Sequence, residues 1–334
     1  MTTVVTGAAG HVGANLVRML LDRGEPVRAV VRRSTAALEG LPVERVTADV
    51  CDPASLLRAF EGARCVLHLA SLISITGDRD GRVFATNVAG ARNVARAARA
   101  AGVERMVHVS SIHAFRQDPL HEPIDEGRAR VEGPGHPAYD RSKAAGEAEV
   151  LAEVAAGLDA VIVNPTAIIG PHDYGPSRMG RFIQQVATRK LPALVPGGFD
   201  WVDVRDVCDG ILAAAERGRT GENYLLSGQW RPVEQVARLV TELAGVPLPP
   251  TVPLWAAHVG APFIELWGRA RGSEPLYTRE SLAALAANRT IRNDKARREL
   301  GYAPRPPEDA FEAAYRWFVD AGKIPGRRRA LPPA

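Results

Sequence analysis

Residues 139–143 read YDRSK, which sets a tyrosine and a lysine four positions apart. On a helix that spacing puts Tyr139 and Lys143 on one face. With six tyrosines and four lysines in 334 residues, composition alone supplies about 0.07 such pairs, so the pair is not a by-product of abundance. A free phenol, with a pKa of about 10, exchanges protons poorly near neutrality, and a neighbouring ammonium stabilises the phenolate and lowers that value. Only four of the 42 basic residues are lysine (Lys143, Lys190, Lys295, Lys323), so an ammonium here stands out in a chain built on arginine. A compact ammonium also suits ribose hydroxyls better than a planar guanidinium fork does.

A second pattern concerns binding. Residues 6–13 read TGAAGHVG, between an apolar run and a helix-like stretch. Gly7, Gly10 and Gly13 permit a tight turn and close approach of a pyrophosphate, which then rests on the helix N-terminus. The bland alternative is a plain strand-to-helix turn, but its place at the start of a βαβ unit favours dinucleotide binding. Gly7, Ala9, Gly10, His11, Val12 and Gly13 are therefore candidate cofactor contacts. The second strand ends in VVRRS, with no carboxylate before Glu39. A dinucleotide lacking a 2′-phosphate usually meets an acidic residue there, whereas the forks of Arg32 and Arg33 match the phosphate. NADP(H) is favoured over NAD(H); two solvated arginines are the alternative.

These residues need elements to position them. Apolar runs at Thr3–Thr6, Val27–Val31, Arg45–Val50, Cys65–Ala70, Arg105–Val109 and Ala160–Val163 alternate with helical patterns at His11–Arg23, Pro53–Phe60, about 81–101 and about 138–156. Continuous apolar strands alternating with helices predict an α/β fold with a doubly wound parallel sheet. Beyond residue 165, prolines break the regularity. A run near Asp200–Val204 with a helix at Val207–Arg217 reads as a return to the sheet. The expected division is a dinucleotide-binding domain over 1–165 with a return segment of about 200–226. A smaller, mostly helical substrate cap comes from 166–199 and 227–325, and 326–334 form a basic flexible tail. The cap should close over the carboxyl edge of the sheet, where ligands of such folds bind.

The formal net charge of +4 gives little reason to expect nucleic acid, because removing the tail residues Arg327, Arg328 and Arg329 leaves +1. Three widely spaced cysteines (Cys51, Cys65, Cys208) suit a reducing compartment better than a disulfide framework. A strand-like run from Thr2 argues against a signal peptide. Residues 247–264 hold five prolines and a histidine, which argues against a spanning helix. A cytoplasmic protein is expected. The eight histidines show no metal-ligand spacing, so no metal is expected; His113, two residues beyond Ser111, is set apart from the rest.

Taken in order, the motifs resemble the extended short-chain dehydrogenases/reductases over nearly the whole chain. TGAAGHVG matches that family's TGxxGxxG and YDRSK its YxxxK. Asp49-Val50 lies where the family places an acidic residue against adenine. VLHLAS (66–71) looks like its strand-end cofactor segment, bringing in Leu69 and Ala70. TNVAGARNVARAA (86–98) resembles its NVxGTxN helix, VSSIHAF (109–115) its strand with the catalytic hydroxyl, and VNPTAIIGP (163–171) and WVDVRDV (201–207) complete the series. The resemblance implies a Rossmann-type sheet. It implies Ser111 as the hydroxyl that polarises the substrate carbonyl, with Ser110 the weaker candidate, Tyr139 as proton donor in reduction and Lys143 as its modulator. Asn87 and Pro165 would lie near the cofactor. Read without the resemblance, the two serines could merely satisfy backbone groups at a strand end.

Sugar dehydratases of the family carry acidic residues after the catalytic hydroxyl, where Ile112 and His113 stand here. VRAVVRRS, VNPTAIIGP, PLYTRESLAAL (275–285) and DKARRELGY (294–302) resemble the dihydroflavonol-reductase and 3β-hydroxysteroid-dehydrogenase branch. The expected reaction is hydride transfer between NADPH and a ketone or aldehyde of an apolar small molecule. The alternatives are a nucleotide-sugar epimerase with tightly held NAD and a non-catalytic NADP(H)-binding protein. The arm 251–268, with two tryptophans and a phenylalanine, could line the pocket, rest on a membrane surface or form the cap's own core. Glu122, Asp125 and Glu126 read as a solvated loop. A homodimer is the family-based expectation.

Overall fold

Alternation along each strand decides where its side chains go. In β1 (Thr2–Thr6), Val4 joins the apolar cluster on one face of the sheet and Val5 the cluster on the other. The same split recurs at Val66 and Leu67 of β4 (Ala63–His68), at Met106 and Val107 of β5 (Arg105–Val109), and at Ile162 and Val163 of β6 (Ala160–Pro165). Strands apolar on both sides must be covered on both sides, which is the physical reason for a parallel sheet sandwiched by helices. The computed structural model describes residues 2–32, 35–257, 259 and 278–326. Arg33, most of the 251–268 arm and the basic tail from Arg327 lie outside the described residues.

The large sheet has seven strands. With β2 (Val27–Val31), β3 (Glu44–Thr47) and β9 (Asn223–Leu226), its order is β3-β2-β1-β4-β5-β6-β9, every pairing parallel. Helices α1 (His11–Asp22) and α7 (Val204–Arg217) pack on one face. On the other lie α2 (Pro53–Phe60), α4 (Gly90–Ala100) and α5 (Ala138–Ala155). Asp52 caps α2 by accepting from the Ala54 N–H. The stretch expected as one helix over 81–101 is three pieces: α3 (Arg82–Phe84), a π-helical turn at Ala85–Ala89, and α4.

The return to the sheet differs from the sequence expectation. The strand over the Asp200 run, β8 (Gly198–Asp203), does not join the large sheet. It pairs with β7 (Ala167–Ile169) and β10 (Gln229–Pro232) in a separate three-stranded sheet of order β10-β8-β7. The seventh place in the large sheet goes to Asn223–Leu226. Trp201 explains the choice: it is fully buried and stacks edge-to-face on Phe311 at 5.0 Å, inside a second apolar core. That core is built from α6 (Arg178–Ala187), α8 (Val233–Ala244) and the helix Pro307–Asp320. Among the described residues of the 251–268 arm, Val252 and Ala257 pack against this core while Trp255 is 71% exposed. No helix of the described residues is long and apolar enough to cross a membrane.

Candidate active site

Parallel register sends Thr6, His68, Val109 and Pro165 to the same edge of the large sheet, so the loops that follow them face one another. Between β1 and β4 the strand order reverses direction, and the crevice there is where open α/β sheets bind ligands. Gly7 turns the chain at φ +70°, and a Cβ on it would stand 2.8 Å from the Ala70 nitrogen, so the turn and the Leu69–Ala70 segment touch backbone to backbone. At Gly13 a Cβ would lie 2.2 Å from the Gly7 oxygen, leaving no room for a side chain between turn and helix. Gly10 caps α1 without a side-chain bond, so the first-turn N–H groups face the crevice unclaimed by a cap. This open, amide-lined cradle fits a dinucleotide pyrophosphate. Ala9 and Val12 pack against the core behind the turn, and His11 shares a hydrogen bond with the Pro171 carbonyl at 3.1 Å.

At the far end of the crevice, the exposed Arg32 guanidinium lies 3.8 Å from the Asp49 carboxylate. Val50 meets Gly90 so closely that a Cβ there would be 2.8 Å from its Cγ2, and its carbonyl accepts from Asn93 at 3.0 Å. Asn87 sits in the π turn, a local widening that turns its buried amide inward. Its Oδ1 accepts from Leu72 N–H (2.8 Å) and Ser71 (3.1 Å), and its Nδ2 donates to Ser142 Oγ (2.9 Å). Ser142 in turn donates to the Tyr139 carbonyl at 2.7 Å. Asn87 thus ties the loop after β4 to the helix bearing Tyr139.

Ser111 caps a short 3-10 turn, Ile112–Ala114, its Oγ accepting from the His113 N–H at 3.2 Å. Burial pushes the Tyr139 phenol up to about 12, partly opposed by the nearby Ser111 hydroxyl. The expected lowering is therefore not what the structure shows. Lys143 Nζ is engaged by the Val109 carbonyl at 3.0 Å, and burial pulls the amine down to about 8 against the charge of Glu147. The phenol is a protonated donor at neutrality, with the Ser111 hydroxyl nearby and a buried amine one helical turn away. Pro165 ends β6 opposite Leu226. Ser110 Oγ, the weaker candidate, is buried without a hydrogen-bond partner.

Several groups here escaped the sequence. Glu147, 1% exposed in its side chain, accepts from Arg130 Nε (2.7 Å), Asn164 Nδ2 (2.6 Å) and Asn223 Nδ2 (3.2 Å). Asn164 also donates to the Ser111 carbonyl at 3.0 Å. A sequence signal for Glu147 exists: 139, 143 and 147 form one i, i+4 stripe, which extends the Tyr139–Lys143 spacing by one further turn. Behind the lysine, His68 and His108 lie ring to ring at 5.1 Å in adjacent strands, both buried and held neutral. In the loop before Tyr139, Glu122 pairs with Arg128 at the surface as expected. Glu126 instead reaches the edge strand and accepts from Leu225 N–H at 2.9 Å, and its burial raises its carboxyl. An open strand edge wants such a partner.

A profile described as the NAD dependent epimerase/dehydratase family matches residues 3–227. The chain is 40% identical, over 97% of its length and all of the relative's, to sterol demethylase protein B of Methylococcus capsulatus. It is 34% identical to a putative dihydroflavonol 4-reductase of Synechocystis, covering 96% of this chain and 95% of that one. A solved nucleoside-diphosphate-sugar epimerase from Pseudomonas aeruginosa superposes with a TM-score of 0.79 at 26% identity, covering 97% of this chain and 99% of that one.

Proposed function

The chain belongs to the NAD-dependent epimerase/dehydratase family of extended short-chain dehydrogenases/reductases, and from that premise we propose that it is an NADPH-dependent reductase of a ketone or aldehyde on an apolar small molecule. The observation that carries the reading is Tyr139, a protonated phenol close to the Ser111 hydroxyl at the carboxyl edge of the sheet, beside a glycine cradle shaped for a dinucleotide. The cradle residues Gly7, Gly10 and Gly13 would hold the pyrophosphate, Leu69, Ala70 and Asn87 would line the crevice, and Arg32 would meet the 2′-phosphate. A nicotinamide held in this cradle would supply the hydride. Ser111 donates to the substrate carbonyl oxygen and polarises it, and Tyr139 hands that oxygen its proton as negative charge develops. Lys143 holds positive charge below the phenol and favours its transient phenolate. The segments 166–199 and 227–325, with their own apolar core, would cover the substrate. The relatives named for a sterol and a dihydroflavonol support an apolar substrate.

The test is purified protein with NADPH and NADH against a panel of ketones, aldehydes and sterol-like carbonyls. Tyr139→Phe should abolish cofactor oxidation while leaving NADPH binding within about twofold. Replacing Arg32 with serine should raise the NADPH requirement and spare NADH. Undiminished turnover in Tyr139→Phe refutes the reading. Retained cofactor with no net consumption would favour the epimerase reading instead.

A further inference from the structure

Helix α5 begins at Ala138 with Pro137 at its N-cap and no side chain capping it, so the turn bearing Tyr139 depends on ties from outside. On the inner side, Asn87 and Ser142 hold the Tyr139 carbonyl. On the side of Ser111 the tie is His113. Its backbone N–H donates to Ser111 Oγ, its Nδ1 lies 3.1 Å from the Asp140 carboxylate, and its ring meets Tyr139 edge-to-face at 5.7 Å. One residue therefore touches both members of the Ser111–Tyr139 pair and the acidic residue between Tyr139 and the rest of the helix. Among the described residues, Asp140 is the charged group facing the imidazole, and Tyr139 is the other titratable side chain against it.

We propose that His113 is a positioning residue: paired with Asp140, it clamps the turn carrying Ser111 to the first turn of α5 and so fixes the Ser111 hydroxyl relative to the Tyr139 phenol. The proposal rests on Tyr139 being the proton donor. Burial alone would lower the imidazole, but the Asp140 carboxylate 3.1 Å away outweighs it and raises the value, so the ring keeps its proton to higher pH than a free histidine. A base whose value is raised by its partner makes that pair below the raised value and loses it as pH climbs through it. The clamp should loosen on the alkaline side.

Three variants test this: His113→Phe keeps a ring against Tyr139 and removes the pair, His113→Gln keeps a neutral donor that does not titrate, and Asp140→Asn removes the charge. In His113→Phe, kcat for reduction should fall about tenfold, with the NADPH Kd unchanged within twofold. Wild type should show a decline in kcat through the imidazole titration, at higher pH than a free histidine gives and in addition to the decline Lys143 gives at about 8. His113→Gln should lose the imidazole step and keep the lysine one, and Asp140→Asn should move the imidazole step to lower pH. Hydrogen exchange of the 137–142 amides needs no substrate, and should quicken in His113→Phe. Wild-type kcat with unchanged exchange in His113→Phe, or an identical pH profile in His113→Gln, overturns the clamp. If wild type reduces no carbonyl in the panel, the reductase reading fails and the exchange measurement alone decides for or against the clamp. Should His113→Phe not fold, the pH limbs of the other two variants carry the decision.

Discussion

Replacing Glu147 tests whether the site is held by its buried polar frame. The carboxylate is nearly inaccessible and accepts from Arg130, Asn164 and Asn223 at 2.7, 2.6 and 3.2 Å. In Glu147→Ala, the Arg130 guanidinium, 3.8 Å above the Phe115 ring, loses its counter-ion, and both amides lose an acceptor. Removing one partner of a buried pair costs roughly 3–5 kcal/mol. Because the Arg130 side chain is 27% exposed, water relieves part of that, and the low end, about 3 kcal/mol, applies. At ~2.1 cal/mol/K per residue the unfolding entropy of this chain is about 0.7 kcal/mol/K, so the melting temperature should drop by about 4 °C. Glu147→Gln keeps an acceptor and should lose about half as much. Two further effects follow at the chemistry. Asn164 no longer has both anchors when it holds the Ser111 carbonyl. Lys143, already down to about 8, loses the charge that supports its ammonium, so the alkaline limb of the activity profile should move to lower pH. Thermal melts and a pH profile of NADPH oxidation check both. A Glu147→Ala protein melting within about 1 °C of wild type would refute the argument, since no relaxation short of rebuilding the cluster could hide three lost acceptor contacts.

Gly13→Ala should abolish dinucleotide binding, read by NADPH fluorescence, because its Cβ would press on the backbone of Gly7 and Ala8; binding within twofold of wild type would show the turn to be more pliant than its contacts imply. Acid should destabilise the protein through His68 and His108, which burial holds at about 3 and well below the ordinary value. Below about pH 6.5 the unfolded chain takes up protons that the folded pair refuses, so stability rises with pH there and falls on acidification. Over the unit from 6.5 to 5.5 the pair costs about 2 kcal/mol, offset by about 0.7 kcal/mol from Asp200, whose burial holds it up to about 6 and favours its acid form. His108→Leu should remove about half of the histidine cost, measured as denaturant midpoints at the two pH values; an unchanged acid slope would count against it.

Much of the frame was readable because it rests on local patterns. The glycine turn, the two-faced apolar strands and the Tyr139–Lys143 spacing each need only a short window, and the parallel sheet follows from them. What the sequence hid was short or distant. Ala167–Ile169 is three residues long and follows Pro165 after one residue, and Asn223–Leu226 carries a polar residue at its head, so neither outweighed the aromatic Asp200 run. The π turn keeps helical composition and changes only the winding. The partners of Glu147 come from positions 130, 164 and 223, and no spacing rule joins them. The Tyr139 value turned on burial and on where Lys143 points, and neither is a property of a five-residue motif.

Among the described residues the chain passes between its two sheets three times, twice by a link of one or two residues and once through α7, which starts directly after β8. Thr166 alone separates β6 from β7, no residue separates β8 from α7, and Ser227 and Gly228 separate β9 from β10. Asp200 fastens the first and third together, accepting from Thr166 Oγ1 and from Gly228 N–H at 2.7 Å each, and Asp203 caps α7 at the second. A graft that exchanged the smaller unit for a relative's to alter substrate choice would have to cut at least these three seams at once, besides the two passages either side of the 296–302 segment, which packs on the large sheet. Each seam would need a donor that brings its own Asp200 and Asp203 with matching partners. Single-junction chimeras should therefore misassemble, and specificity in this scaffold is better redesigned by side chains than by transplanted segments.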